Sequence, residues 1–341
     1  MKASISRRKC LVLAAAMVAA GRAKAFGLRA AVRGVGFLEP CAVRPRYKNR
    51  VHFFISGQYW YCVSNDIPDH NGGRFPDRGC PNTIRPQEFH FRMPLQPREN
   101  ARLLKVVNHV DFGVAIDGVV LDPGTAEFWH NKRGSVWNVT LLTGFGNLGL
   151  DAIHAHVQPD GTYHYHGVPT ELIKSRDGWG KVVLIGYAAD GFPVYGPWGY
   201  KNAPRAAGGI RLLQSSHRIK RGNRPNPSIG PGGPYDGRYT GDFEYVPGYG
   251  DMDEANGRHG VTPEYPDGTY YYVATDQYPF IPRYFRGRPD RSFYKRPSRN
   301  FRQGGQGGRT RPFGGGLAPG DGGLPPGGPP PFGPPGADGG Y

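Results

Sequence analysis

Acidic side chains, cysteine, helical periodicity and long apolar runs are all scarce in this chain. Its 341 residues hold 27 Asp and Glu against 43 Lys and Arg, a formal net charge of +16, and only four cysteines. The one continuous apolar run, Leu11–Ala20, is too short to span a bilayer, which takes about 20 apolar residues. A 3.6-residue period is missing from Asn131–Leu142. Only Thr170–Lys174, after Pro169 and with Glu171 near its positive end, suggests a helical turn. No nucleophile elbow, phosphate loop or dinucleotide fingerprint is present, which removes the commonest serine-hydrolase and nucleotide chemistries. No nucleic-acid recognition motif accompanies the basic charge, so nucleic acid is not an expected partner.

The N-terminus reads as a targeting signal. Ser6-Arg7-Arg8-Lys9-Cys10-Leu11 is a twin-arginine sequence, followed by the alanine-rich run and by Ala23-Lys24-Ala25, an A-x-A cleavage site. Arg22 and Lys24, just after the apolar run, favour the twin-arginine route. Cys10 precedes the run, which argues against a lipoprotein. The expectation is a signal peptide over residues 1–25, a periplasmic or secreted protein, and no transmembrane helix in the mature chain. Residues 1–25 carry six basic residues and no acidic ones, so 37 basic and 27 acidic side chains remain, a balance of +10. That excess suits solubility, or adhesion to anionic cell-surface polymers.

Glycine and proline are abundant, at 53 and 34 residues, but unevenly placed. Residues 304–341 are almost entirely Gly, Pro and small polar residues and cannot bury enough apolar surface to fold. The predicted β domain runs over 37–287, with a disordered Gly/Pro/Arg-rich tail over 288–341. Cys41, Cys62 and Cys80 remain in the exported part, where disulfides are permitted. Sequence alone does not fix a pairing. The expected bond is Cys62–Cys80, which would steady the polar stretch Ser64–Asn71. A free thiol serving a copper site is the alternative.

The most informative stretch is Asp151–Gly167, which holds four of the eleven histidines: His154, His156, His164 and His166. Pro159-Asp160-Gly161 between the two His-x-His pairs suits a three-residue hairpin loop, with glycine in the left-handed position. Gln158 then pairs with Thr162, His156 faces His164, and His154 faces His166. Residues two apart share a strand face, and opposed Cβ atoms lie about 5 Å apart. All four imidazoles would lie within reach of one metal ion, with Asp151 placed to orient an imidazole from behind. A two-residue loop would put the pairs on opposite faces. Tyr163 and Tyr165 point the other way. The bland alternative is a hydrogen-bonded polar face in a His/Tyr-rich sheet.

At these residues the chain resembles the bacterial YHYH family, whose tetrapeptide stands here as Tyr163-His164-Tyr165-His166. Val114–Val119 through Asp122–Trp129, Leu148–Asp151, Gly186–Pro197 and Pro263–Tyr270 are similar to further blocks of that family. The resemblance covers roughly residues 50–286 and implies an exported bacterial protein. It implies no particular reaction.

The chain also echoes itself. Gly113-x-Ala115-x-Asp117-Gly118 recurs as Gly186-x-Ala188-x-Asp190-Gly191, each with Asp-Gly between apolar runs, a strong hairpin signal. Pro-Asp-Gly-Thr-Tyr recurs at Pro159–Tyr163 and Pro266–Tyr270. Residues 111–167 and 184–274 therefore read as duplicated hairpin-rich units, the second with a loop insertion at about 201–242. Superposing the turns places His154, His156, His164 and His166 on Val261, Pro263, Tyr271 and Val273. Further strands are expected over 50–62 and over Gln87–Met93, with His90 facing solvent. Asp66, Asp69 and His70 could ligate a metal, but Pro68 and Gly72-Gly73 make loop chemistry the default. The fold expected is mainly β in two related halves, sandwich or barrel.

Three functions follow. The first is an exported metal-binding protein with a four-histidine box for copper or zinc. The second is a metal-dependent hydrolase or oxidoreductase using an open coordination position, with Glu171 and Asp151 the nearest carboxylates in sequence. The third is a cell-surface interaction protein with structural histidines.

Overall fold

Short apolar runs punctuated by Asp-Gly, Pro and Gly can make only short strands, and the chain is built from them. The computed structural model describes residues 41–144 and 148–295; the expected signal peptide and residues 296–341 of the expected tail lie outside the described residues. In order, the strands are Val51–Ser56 (β1), Tyr59–Ser64 (β2), Phe89–Pro94 (β3), Leu104–Lys105 (β4), Gly113–Ala115 (β5), Val120–Leu121 (β6), Ala155–Val157 (β7) and Tyr163–Tyr165 (β8). A six-residue helix, Thr170–Ser175 (α1), follows. Then come Leu184–Ala188 (β9), Pro193–Tyr195 (β10), Trp198–Asn202 (β11), Ala207–Leu212 (β12), His217–Ile219 (β13), Phe243–Tyr245 (β14), Gly257–Gly260 (β15), Thr269–Val273 (β16) and Tyr284–Phe285 (β17).

Eight strands form one open sheet in the order β15-β16-β10-β9-β5-β6-β8-β7, so neither this sheet nor the smaller ones close into a barrel. The order and sense of pairing run alike outward from its centre. On one side β5–β6 is antiparallel, β6–β8 parallel and β8–β7 antiparallel; on the other, β9–β10, β10–β16 and β16–β15 repeat that series. The halves meet at β5 and β9, where Gly113 faces Ala188 and Ala115 faces Gly186. Here the echoed Gly-x-Ala motif has a physical reason. A Cβ on Gly113 would collide with the Tyr187 carbonyl, and one on Gly186 with the Val114 carbonyl. Only glycine lets the two central strands approach this closely.

β1–β3 form a separate antiparallel meander. Its inner face, including Cys62, Phe91 and Met93, is buried. Trp60 stacks on Tyr187 of β9 at 5.9 Å, and Phe91 stacks on Phe293 at 4.4 Å. His90 faces solvent. The packed body runs past residue 287: Phe293 is fully buried and Lys295 is held by carboxylates of the core. Among the described residues no helix is long and apolar enough to cross a membrane.

Two expectations need correction. The Cys62–Cys80 bond is not formed; Cys41, Cys62 and Cys80 are free thiols. Cys62 sits mid-strand opposite Phe53 and Phe91, while the Cys80 thiol donates to the Val157 carbonyl at 3.2 Å. The loop that a crosslink would steady is held instead by Asp66, whose buried carboxylate accepts from Tyr163 N (2.8 Å) and Val120 N (3.3 Å). The insertion at 201–242 is also more than loop. β11 pairs with β12, and β13 with β14 beyond its end. β12 lies exposed along most of its length, so it lacks the alternation that marks a half-buried strand.

The close approach of β5 and β9 is testable. Gly113→Ala and Gly186→Ala should each cost about 1–3 kcal/mol, the usual penalty of overpacking. Urea unfolding measures it; a loss below about 0.5 kcal/mol, the range of an indifferent surface change, would mean that the strands can part.

Candidate metal centre

The β7–β8 hairpin has the three-residue turn. Gln158 N donates to Thr162 O (2.8 Å), Gly161 N to Gln158 O (2.9 Å), and Gly161 takes φ +96°. His156 is paired directly with His164. Alternation then sends Tyr163 and Tyr165 to the other face, where their hydroxyls donate to Asp151 (2.6 Å) and Asp117 (2.8 Å).

Three of the four histidines come together. The rings of His156, His164 and His166 form a triangle with centroids 4.6–4.9 Å apart. One ring nitrogen from each lies within 4.8 Å of the others. His156 Nε2 and His166 Nε2 are 3.1 Å apart. His154 does not join them. The backbone pairing reaches it, since His166 N donates to His154 O at 2.8 Å. Its own φ of +65° breaks the strand's alternation and turns the side chain toward Gly167.

Hydrogen bonding sets the tautomers. A carbonyl only accepts, so His156 Nδ1, 2.7 Å from Leu148 O, and His164 Nδ1, 3.3 Å from Thr162 O, carry their protons there. Both rings therefore offer Nε2 lone pairs, as metal-ligating imidazoles anchored through the other nitrogen do. His166 meets the His156 lone pair with its own Nε2, a place that a proton or a cation can fill. Burial pushes all three rings below the ordinary histidine pKa, His164 to about 3, and the neighbouring imidazoles push His164 and His166 further. They are neutral at pH 7.

Around the triangle lie charges that reading the sequence missed. Asp122 and Glu127 act on His156, Asp122 and Lys295 on His164, and Lys295 and Arg283 on His166. Lys295 Nζ donates to Asp122 and lies 3.3 Å from Asp111. Burial alone would raise Asp122, but Lys295 together with the other groups around this carboxyl, Gly124 N–H among them, outweighs it and holds it below its usual range. Burial raises Asp111 to about 7 despite Lys295. Glu127 Oε2 is buried without a hydrogen-bond partner. The Asp122–Glu127 segment belongs to a block similar to the YHYH family. Only the parallel pairing of β6 with β8 brings it here, and no local pattern announces that.

Among the described residues the other expected groups make no hydrogen bond to the triangle, though Asp151 acts on His156 through space. Asp151 accepts from Ile153 N, Ala155 N, Gly73 N and the Tyr163 hydroxyl, and from no imidazole. Glu171 pairs with Lys174 at 2.7 Å. A second set, Asp69, His70 and Asp117, also falls within 4.8 Å. Its members are committed: Asp69 pairs with Arg176 (2.8 Å), and His70 meets the Tyr165 hydroxyl (2.6 Å) and Asn71 O (2.8 Å). Among the described residues no thiol joins either set.

A scan against protein-family models matches the YHYH protein family over residues 90–287. The chain belongs to the YHYH family. The match starts at residue 90, so β1 and β2 of this YHYH protein precede it. No curated protein and no solved structure matches the chain.

The other half of the sheet supplies a comparison within the YHYH protein. Asp253 accepts from Ala255 N and Gly257 N (both 3.0 Å) and from the Tyr270 hydroxyl, as Asp151 does from its own loop and Tyr163. Asn256, at φ +57°, stands where His154 stands. Pairing of Arg258 with Tyr271 makes Arg258 the counterpart of His156, which corrects the placement on Pro263; Asn256 likewise replaces Val261 as the counterpart of His154. The hairpin loop of the second half is longer, so aligning the turns shifts β15. Arg258, Tyr271 and Val273 occupy the place of the triangle, with Arg258 Nε donating to the Tyr271 hydroxyl at 2.6 Å. Asp151 is thus part of the shared framework, while the histidines are particular to one half.

His154 gives a pH test. Burial pushes it to about 4. Between pH 6.5 and 4 the unfolded chain takes up a proton that the folded chain refuses, so this residue removes stability as pH falls through that window. Buried Asp190, raised to about 6, acts oppositely there, so a variant must isolate the histidine. His154→Asn, which copies Asn256 of the other half, keeps a residue that tolerates positive φ. Denaturant unfolding should show wild type losing up to about 1.4 kcal/mol per pH unit more than the variant below pH 6.5. Parallel curves would contradict the assignment.

Proposed function

We propose that this YHYH protein is an exported metal-binding protein whose centre is His156, His164 and His166, with zinc or copper as the ion. The observation that carries the reading is the convergence of three neutral imidazoles, His164 and His166 buried and His156 half-buried, two of them anchored through Nδ1–H on backbone carbonyls. Zinc–nitrogen bonds of about 2.0–2.1 Å in a tetrahedral set would place ligand nitrogens about 3.3 Å apart. The 3.1 Å between His156 Nε2 and His166 Nε2 is close to that spacing. Imidazole suits zinc and copper alike, and among the described residues no sulfur ligand biases the choice. Packing alone does not demand histidine at these positions, because Arg258, Tyr271 and Val273 fill the matching place in the other half. Three protein ligands leave a coordination position for an exogenous group, the arrangement of catalytic rather than closed structural zinc sites.

Equilibrium dialysis against zinc and copper tests the reading. Wild type should bind one equivalent. His156→Ala, His164→Ala and His166→Ala should each weaken binding by more than the roughly 10–100-fold that loss of an outer hydrogen-bonding partner costs. His154→Asn should bind as wild type does. No stoichiometric binding by wild type would return the histidines to a structural role.

A further inference from the structure

Among the described residues, Lys295 is the lysine whose amine meets two buried carboxyl groups. Other lysine ion pairs join residues three or four apart: Lys174 with Glu171, and Lys181 with Asp177. Lys295 pairs instead with Asp122, 173 residues away in the chain, and with Asp111. The backbone dictates the meeting. Asp111 and Asp122 stand just before β5 and just after β6, at the open end of that hairpin. The segment after β17 returns beside them. Asp111 N donates to Phe293 O (3.0 Å), and Lys295 N to His109 O (2.9 Å). Phe293, fully buried, anchors the return. Both aspartates are buried, and the lysine side chain is 24% exposed.

The carboxyl oxygens have separate partners. Asp122 Oδ1 accepts from Gly124 N at 2.8 Å, and Asp122 Oδ2 accepts from Lys295 Nζ. Asp111 Oδ1 lies 3.3 Å from Nζ, buried and without a hydrogen-bond partner. Burial raises the Asp111 carboxyl to about 7, so it takes up and releases protons near neutral pH. An amine, an acceptor carboxyl and a proton carrier are thus fixed side by side, largely away from water. Such positioning does the work of chemical activation: well-oriented intramolecular pairs react with effective molarities of about 10⁵–10⁸ M.

We propose that Lys295 and Asp122 join in an isopeptide bond, with Asp111 carrying the protons. One proton passes from Nζ to Asp122 Oδ2 along their hydrogen bond, which turns the ion pair into amine and acid. Nζ attacks Asp122 Cγ, and the charge that grows on Oδ1 meets Gly124 N–H. Asp111 takes a proton from Nζ and gives it to Oδ2. The Cγ–Oδ2 bond breaks, the new Nζ–Cγ bond remains, and one water leaves. The sum is amine plus carboxylic acid giving amide plus water, with no change of oxidation state. The bond closes a loop from the end of β6 to the segment after β17, with the histidine hairpin inside it. Cys41, Cys62 and Cys80 are free thiols, so among the described residues no disulfide does this. The inference does not rest on the metal-binding reading.

Tryptic peptide mapping of the full-length chain tests it. Wild type, kept folded at neutral pH and then denatured and digested, should yield a branched peptide in which Lys295 Nζ is acylated by Asp122. Its mass should equal that of the two linear peptides less one water. Lys295→Arg keeps the cation but should yield linear peptides only. On a denaturing gel it should also run more slowly than the looped wild type. Asp111→Asn, folded by circular dichroism, should form the bond about a hundredfold more slowly or worse, as loss of a general acid–base does. Linear peptides alone from wild type, or a branch whose acceptor is not Asp122, would overturn the bond. An Asp111→Asn chain that crosslinks as fast as wild type would overturn the role of Asp111.

Discussion

The pairing of His156 with His164 across a three-residue turn governs both faces of this hairpin. On one face it gathers three imidazoles. On the other it delivers Tyr163 and Tyr165 to Asp151 and Asp117. The two outcomes cannot be separated, because the side-chain period of a strand is two and a slip of one residue exchanges the faces. Such a slip would bury imidazoles against carboxylates and aim tyrosines at the centre. Gly161, holding a left-handed backbone, keeps the loop at three residues and so sets that register.

The framework beneath the centre is used on both sides of the sheet. Asp151 and Asp253 close matching loops, and Tyr165 and Tyr272 plug Asp117 and Asp190. The halves join at facing glycine and alanine residues of the echoed motif. At the place of the triangle the two sides carry different side chains: His156, His164 and His166 against Arg258, Tyr271 and Val273. A half-buried Lys295 between Asp122 and Asp111 ties the segment after β17 to the carboxylates near the histidines. The charges near the histidines are therefore part of what holds the chain together.

Much of this was legible in the sequence. The turn chemistry of Pro159-Asp160-Gly161 led to the register, the register to the facing histidines, and the Asp-Gly pairs to the central hairpins. What was not legible has local physical causes. His154 leaves the set because a left-handed φ redirects its side chain, and histidine spacing does not reveal backbone sign. Cys62 and Cys80 are free thiols, and backbone N–H groups donating to the buried Asp66 carboxylate hold the intervening loop in place of a crosslink. The second hairpin was misaligned because its loop is longer than the first. Asp122, Glu127, Arg283 and Lys295 arrive from separated segments through parallel pairing and a C-terminal return, neither of which leaves a periodic trace.

The most direct test of the central claim is X-ray absorption spectroscopy of the zinc-loaded protein. Three imidazole nitrogens at about 2.0–2.1 Å with one further light ligand is the shell that the triangle predicts. A sulfur scatterer at about 2.3 Å, or fewer than three imidazoles, would show that the metal sits elsewhere and that the histidine triangle serves the fold.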